Sequence, residues 1–189
     1  MARWLVCVLA AAAALMVGGP SVARDGMVER LEVIESGLYR GEVIGRTGAP
    51  ATTAGFSEEL RNVVYYDHSQ RVPAQVGIRF GARVRLVGSP AGRRANMRSV
   101  WRIPMPGVVN PRNGVTYRES VADVWSYVGW QYSRGFHFNE PWQIVCGEWI
   151  QELWQGDRKL LSQTFTVEDC TGVPISAREP GSAAACRAG

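Results

Sequence analysis

From residue 78 onward the chain alternates. Ile78, Phe80, Ala82, Val84 and Leu86 share one parity, and Arg79, Arg83 and Arg85 share the other. A period of two places the apolar set on one face of a β-strand and the arginines on the opposite face. Gly88-Ser89-Pro90-Ala91-Gly92 reads as a turn, and Met97, Ser99, Trp101 and Ile103 continue the apolar face on a returning strand. Pro104 and Pro106 end that strand, because proline has no N–H to give to a ladder. On this reading Arg79, Arg83 and Arg85 share an outward face with Arg98 and Arg102.

Elsewhere the pattern is patchier. An aromatic strand is predicted from Val121 to Tyr132, with weaker strands over Leu31 to Glu42 and Asn62 to Tyr66. Helical spacing is confined to Gly55 to Asn62, which reads as a short helical turn. The hairpin of highest quality runs from Cys146 to Cys170, with Gly156-Asp157 at its tip. Its odd-numbered Trp149, Leu153, Phe165 and Val167 face the core together. A five-residue loop would set Trp149 against Val167 and Cys146 against Cys170, whereas a three-residue loop sets Cys146 against Glu168. Only the first register, or a bulge, brings the two cysteines to disulfide distance. Short strands, frequent turns and no βαβ spacing predict an all-β fold: an antiparallel, immunoglobulin-like β-sandwich.

The hairpin also carries a likeness. EPWQIVCGEWIQELWQGDRKLLSQTFTV, with IRFGARVRLVGSPAG and LEVIESGLYRGE upstream, resembles the bacterial family known as domain of unknown function 3859, over Leu31 to Val167. Gly147 with Trp149, the Gly156 to Leu160 turn and Phe165-Thr166-Val167 are its most specific parts. The resemblance implies a shared, sandwich-like fold in an exported or envelope-associated protein. It transfers no site residue, because the family has no assigned activity.

The ends of the chain change the picture further. Arg3, an apolar run from Trp4 to Val17, a Gly18-Gly19-Pro20 break and Ser21-Val22-Ala23 have the order of a secretory signal cleaved after Ala23. The expected organisation is a signal peptide over 1–23, one sandwich domain over 24–170 and a disordered, low-complexity tail over 171–189. The mature chain is then periplasmic or secreted, with no later stretch apolar enough to span a bilayer as a helix. In that oxidising setting Cys146 and Cys170 are the expected disulfide, with Cys186 as an alternative partner for either.

Charge is segregated. Ten arginines and no acid lie between Asp67 and Glu119, inside a chain of net charge +4. Glu29, Glu32, Glu35, Glu58 and Glu59 could neutralise the arginines from within; otherwise Arg79, Arg83, Arg85, Arg98 and Arg102 form a basic face for an anionic envelope component or protein. Nucleic acid is not an expected partner of an exported chain without a recognition motif. Aromatic side chains crowd Trp125 to Trp142; most are expected in the core, with Phe136 and Phe138 exposed in a loop.

Catalytic signals are weak. Asp67-His68-Ser69 has triad residue types, but adjacent residues do not adopt triad geometry. His137 with Glu140 matches no metal spacing, both histidines read as exposed loop residues, and Glu148 with Glu152 reads as a solvated strand face. No catalytic residue, metal or cofactor is assigned. The sequence therefore favours a binding module, with an envelope hydrolase or a structural assembly module as alternatives. A concave pocket holding a histidine against a carboxylate or hydroxyl would favour the enzyme.

Overall fold

A computed structural model describes residues 25–171; the leader and tail expectations, and Cys186, lie outside the described residues. Among the described residues eleven strands form two main sheets and a small ribbon. They are β1 (Met27–Gly48), β2 (Phe56–Asp67), β3 (Arg71–Pro73), β4 (Arg79–Ser89), β5 (Arg94–Arg102), β6 (Val108–Val109), β7 (Thr116–Tyr117), β8 (Glu119–Tyr127), β9 (Gln131–His137), β10 (Gly147–Gln155) and β11 (Arg158–Glu168). The first sheet has the order β2-β1-β4-β9, and the second β3-β11-β10-β5-β8. All pairings are antiparallel except β3 with β11. Among the described residues no helix is long and apolar enough to cross a membrane.

The alternation read from the sequence builds the core. Phe80, Ala82, Val84 and Leu86 of β4 meet Ala95, Met97 and Trp101 of β5, with Trp149, Leu153, Phe165 and Val167 of the last hairpin buried as their parity requires. Six rings interlock at one end: Phe80 lies 5.1 to 6.1 Å, centroid to centroid, from each of Trp101, Phe136, Phe138, Trp149 and Phe165. Trp149 is wholly buried, and its indole N–H donates to the Val145 carbonyl at 2.8 Å, so its ring adds apolar area without leaving a polar atom stranded.

Four sequence readings are corrected. First, β4 and β5 are not a hairpin: the Pro90–Arg93 corner carries the chain from the first sheet to the second. Second, the aromatic stretch is two strands, split at Val128–Trp130 by an equivalent crossing. These corners bond to each other, Gly92 N–H to Val128 C=O and Val128 N–H to Arg93 C=O, both 2.9 Å, and so pin the sheets together at one end. Third, Gly55 to Asn62 is no helical turn, because Phe56 onward pairs with β1. Fourth, the last hairpin has a two-residue turn, Gly156-Asp157, and a bulge that absorbs Leu160. Trp149 consequently faces Phe165 rather than Val167. Cys146 then falls opposite Glu168, yet the Cys146–Cys170 disulfide still closes, with Cα atoms 6.2 Å apart. Asp169 makes this possible by entering the left-handed region, φ 63°, which turns Cys170 back toward its partner.

β1 positions the rest. It pairs with β4 only as far as Tyr39↔Arg79, after which β1 and β2 continue together as a bare ribbon. Gly37, at φ 135°, begins the bend, and a Cβ there would collide with the Asp67 backbone. Three register shifts along the β1–β2 pairing add curvature. The ribbon folds back over the outer face of the first sheet, with the Val63 carbonyl accepting from Arg83 at 2.6 Å.

Candidate binding cleft between β8 and β9

β8 and β9 are the outer strands of their sheets. Joined at Val128–Trp130, they diverge and leave a cleft of about 1070 Å³ bounded by both strands and by the β1–β2 ribbon. The ribbon tip, Ala49–Gly55, bridges its far end: Ala51 C=O accepts from Val121 N–H of β8 at 2.9 Å. Thr53 takes three further partners, with its N–H donating to Ser120 Oγ, its carbonyl accepting from Asn110 and its hydroxyl accepting from Gln143, at 3.0 to 3.3 Å.

One wall is an ion cluster beneath the ribbon. The Glu58 carboxylate accepts from Arg79 at 2.7 Å and Arg46 at 3.0 Å, and lies 3.1 Å from His137 Nδ1. Burial alone would raise the Glu58 carboxyl, but the hydrogen bond and charge of Arg79, with Arg46 and His137, outweigh it and hold the group below its ordinary value. Burial, then the Arg79 charge, pushes the His137 imidazole down against the pull of Glu58. Tyr39 lies over Gly135 on the same face, where an added Cβ would come within 2.5 Å of its hydroxyl, and burial drives its phenol up to about 12. His137 is thus a half-buried strand residue, not the exposed loop residue expected from sequence.

The floor is different. Ser99 is 1% exposed and Trp101 3%, and both line the cleft from β5. Ser99 Oγ, Trp101 Nε1, Arg134 Nε and Gln151 Oε1 are buried without a hydrogen-bond partner among the described residues. They are close neighbours in the fold: Trp101 and Gln151 are register partners, and Gln151 Nε2 donates to the Arg134 carbonyl at 2.8 Å. A buried polar atom without a partner costs about 1–3 kcal/mol; Ser99, Trp101 and Arg134 line the cleft and Gln151 does not, so it is beside the first three that a polar group fits. The rim is aromatic. Trp125 is 50% and Trp130 60% exposed, linked through Tyr127 by ring contacts of 5.6 and 4.9 Å, with the Arg94 guanidinium 4.6 Å over Trp125.

The arginine face does not assemble. Arg79, Arg83 and Arg85 sit on the outer face of the first sheet, whereas Arg98 and Arg102 sit on the outer face of the second, because β4 and β5 belong to different sheets. The ribbon and its acids take up the first group: Glu58 pairs with Arg79, Glu35 with Arg83 and Glu32 with Arg85. Arg102 pairs with Glu119 and with the buried Glu152, so Glu152 belongs to an ion network rather than a solvated face; Arg98 rests 5.9 Å over Trp154. Phe136 and Phe138, expected at the surface, are buried on the inner side of β9 and just beyond it; the exposed rings are Trp125 and Trp130. Among the described residues no cluster of three His, Cys, Asp or Glu has metal-binding geometry.

Two antiparallel sheets packed on an aromatic core, with chain crossings between them, place the molecule among immunoglobulin-like sandwiches. A solved immunoglobulin-like protein from Pseudomonas aeruginosa superposes with a TM-score of 0.50 at 22% identity, over 78% of this chain and 99% of its own. The chain belongs to the family described as a domain of unknown function (DUF3859), which matches residues 28–167. No curated protein matches it in sequence.

Proposed function

We propose that the chain is an exported, non-catalytic binding module whose ligand enters the β8–β9 cleft. The observation that carries this reading is the conjunction of a large concavity, an exposed tryptophan rim and a floor of buried donors and acceptors without protein partners. Export is supported by the leader pattern ahead of Arg24 and by the Cys146–Cys170 bridge, a bond that persists in oxidising compartments. Mass spectrometry of the envelope fraction then finds a mature chain beginning at Arg24, and an intact N-terminus contradicts export by cleavage.

A hydrolase reading has one observation in its favour, the His137–Glu58 contact inside the cleft. Binding is preferred because Glu58 is already held by two guanidiniums, and among the described residues no hydroxyl or thiol bonds to the His137 ring. Ser57 Oγ, a ribbon hydroxyl that lines the cleft, accepts from Arg134 at 2.8 Å instead.

The test compares immobilised peptide and oligosaccharide arrays probed with wild type, with Trp125→Ala/Trp130→Ala, and with Arg85→Glu/Arg98→Glu. Ligands retained by wild type and the charge-reversed protein, and lost by the tryptophan variant, fit the cleft. Loss through the arginine variant alone moves the site to the outer faces and ends this reading.

A further inference from the structure

β8 pairs with β5 from Arg94↔Tyr127 to Arg102↔Glu119 without a register shift, and it is the last strand of its sheet. In an antiparallel pair, alternate residues turn both backbone groups to the same side. The Val121 N–H points away from β5, to the ribbon's Ala51, so the backbone groups of Asp123 and Trp125 point the same way, into the cleft. Among the described residues nothing pairs with them. Open edges are normally guarded by proline, a bulge or charged side chains, lysine above all; Glu119–Tyr127 has no proline, lysine or bulge, and its charges are the two acids Glu119 and Asp123.

We infer that an extended polypeptide segment of a partner protein adds to β8 as the next strand, bonding through its backbone to Asp123 and Trp125. This rests on the cleft being the binding site and specifies the class of ligand. The chain already supplies one example of the contact, since Ala51 in the ribbon tip occupies the Val121 position of the same edge. At about 3.3 Å per residue, the stretch left open beyond Val121, from Asp123 to Tyr127, runs about 13 Å, the length of a short strand of about five residues. Alternate side chains of such a strand would face opposite ways, one set toward the floor at Ser99, Trp101 and Arg134 and the other toward the Trp125–Tyr127–Trp130 rim. The floor residues that line the cleft carry the Ser99 hydroxyl, the Trp101 indole N–H and the Arg134 guanidinium, which suits an inward side chain that accepts hydrogen bonds. Main-chain pairing gives such complexes affinity, and alternate side chains give them specificity.

The probe is a library of random linear heptapeptides screened against the mature chain, with soluble oligosaccharides as the comparison. Each selected peptide is resynthesised with single N-methyl groups along its backbone. Strand addition predicts an affinity loss of about tenfold at every second residue and little in between. Asp123→Pro removes one cleft-facing N–H while sparing the ladder to β5, a position where an edge strand tolerates proline, and it should weaken the same peptides to a similar degree. If that variant does not fold, the N-methyl scan on wild type decides alone. Peptides without an alternating scan overturn the inference. So do oligosaccharides that bind in preference to peptides and are lost on Trp125→Ala/Trp130→Ala, although the cleft reading then survives. A concentration-dependent dimer abolished by Asp123→Pro would make the occupant a second copy, contrary to the inference. Failure of both probe classes to show any cleft-sensitive binding removes inference and reading together.

Discussion

Replacing Glu58 by glutamine should loosen the ribbon that walls the cleft. The Glu58 side chain is 7% exposed and that of Arg79 11%, and they meet at 2.7 Å. Removing one partner of a buried ion pair costs about 3–5 kcal/mol, because the other charge stays behind. Glutamine keeps an acceptor for Arg79, which recovers about 1 kcal/mol as a neutral hydrogen bond. Arg46, more than half exposed, adds about 0–1 kcal/mol at most. The net expectation for Glu58→Gln is a destabilisation of about 2–5 kcal/mol. Urea unfolding should register it as a lower midpoint at unchanged slope. In an Arg79→Met background the same change should cost about 1 kcal/mol, giving a coupling energy of about 1–4 kcal/mol. Amides of β2 from Ser57 to Leu60 should exchange faster in the single variant, since their outer contacts run through Glu58. A cost below about 0.5 kcal/mol with no coupling to Arg79 would refute the view that this pair anchors the ribbon.

Further consequences concern pH, the floor and the disulfide. His137 sits below its ordinary 6.5, so as the pH falls below that value the unfolded chain takes up a proton that the folded chain refuses, and stability declines. Glu58, held below 4.5, adds stability that is present above that value and lost as the pH falls through its lowered folded pKa. His137→Gln should flatten the first decline in a series of unfolding curves and leave the second; an unchanged first decline counts against this assignment. Ser99→Ala deletes a buried hydroxyl that has no protein partner, so thermal unfolding should show stability unchanged or raised by up to about 1 kcal/mol while affinity for cleft ligands drops; a loss of stability above that size would mean the hydroxyl is already satisfied within the fold. Cys146→Ser/Cys170→Ser opens a loop of 24 residues' separation and should cost about 3 kcal/mol in urea, with reductant producing the same loss in wild type; insensitivity to both would contradict a stabilising bridge.

Much of the architecture was legible because a period of two survives even where topology is unknown. Parity placed Trp149, Leu153, Phe165 and Val167 inside and Arg79, Arg83 and Arg85 outside, whatever strands they pair with. It could not say which sheet a strand joins. Gly88 to Gly92 reads equally as a hairpin turn or as a corner between sheets, and that ambiguity merged two outer faces into one. The same limit hid the split between β8 and β9; carrying the parity of Tyr132 through Arg134 to Phe136 and Phe138 would have turned those phenylalanines inward. In the last hairpin a single bulged residue, Leu160, shifted a register that loop length alone cannot fix.

The site was far less visible. Glu58 meets His137 across 79 positions and Thr53 meets Gln143 across 90, contacts that exist only because a ribbon doubles back over its own sheet. The one local signal was compositional: acids near the start of the chain and arginines after Asp67. Pairing within the molecule, Glu32 to Arg85, Glu35 to Arg83 and Glu58 to Arg79, gives three of those arginines the internal relief that the composition allowed. A purely structural module would share that pairing, but the exposed Trp125 and Trp130 beside the cleft are what such a module does not need.

The most direct test is residue-resolved amide exchange along β8 in the free protein and with a selected peptide. Ala122 and Val124, bonded toward β5, should be protected in both states. Asp123 and Trp125 should exchange nearly as fast as unstructured amides when free and slow by an order of magnitude or more when the peptide is present. Equal protection of all four amides in the free monomer would mean that this edge is already closed and that the cleft has no strand to offer.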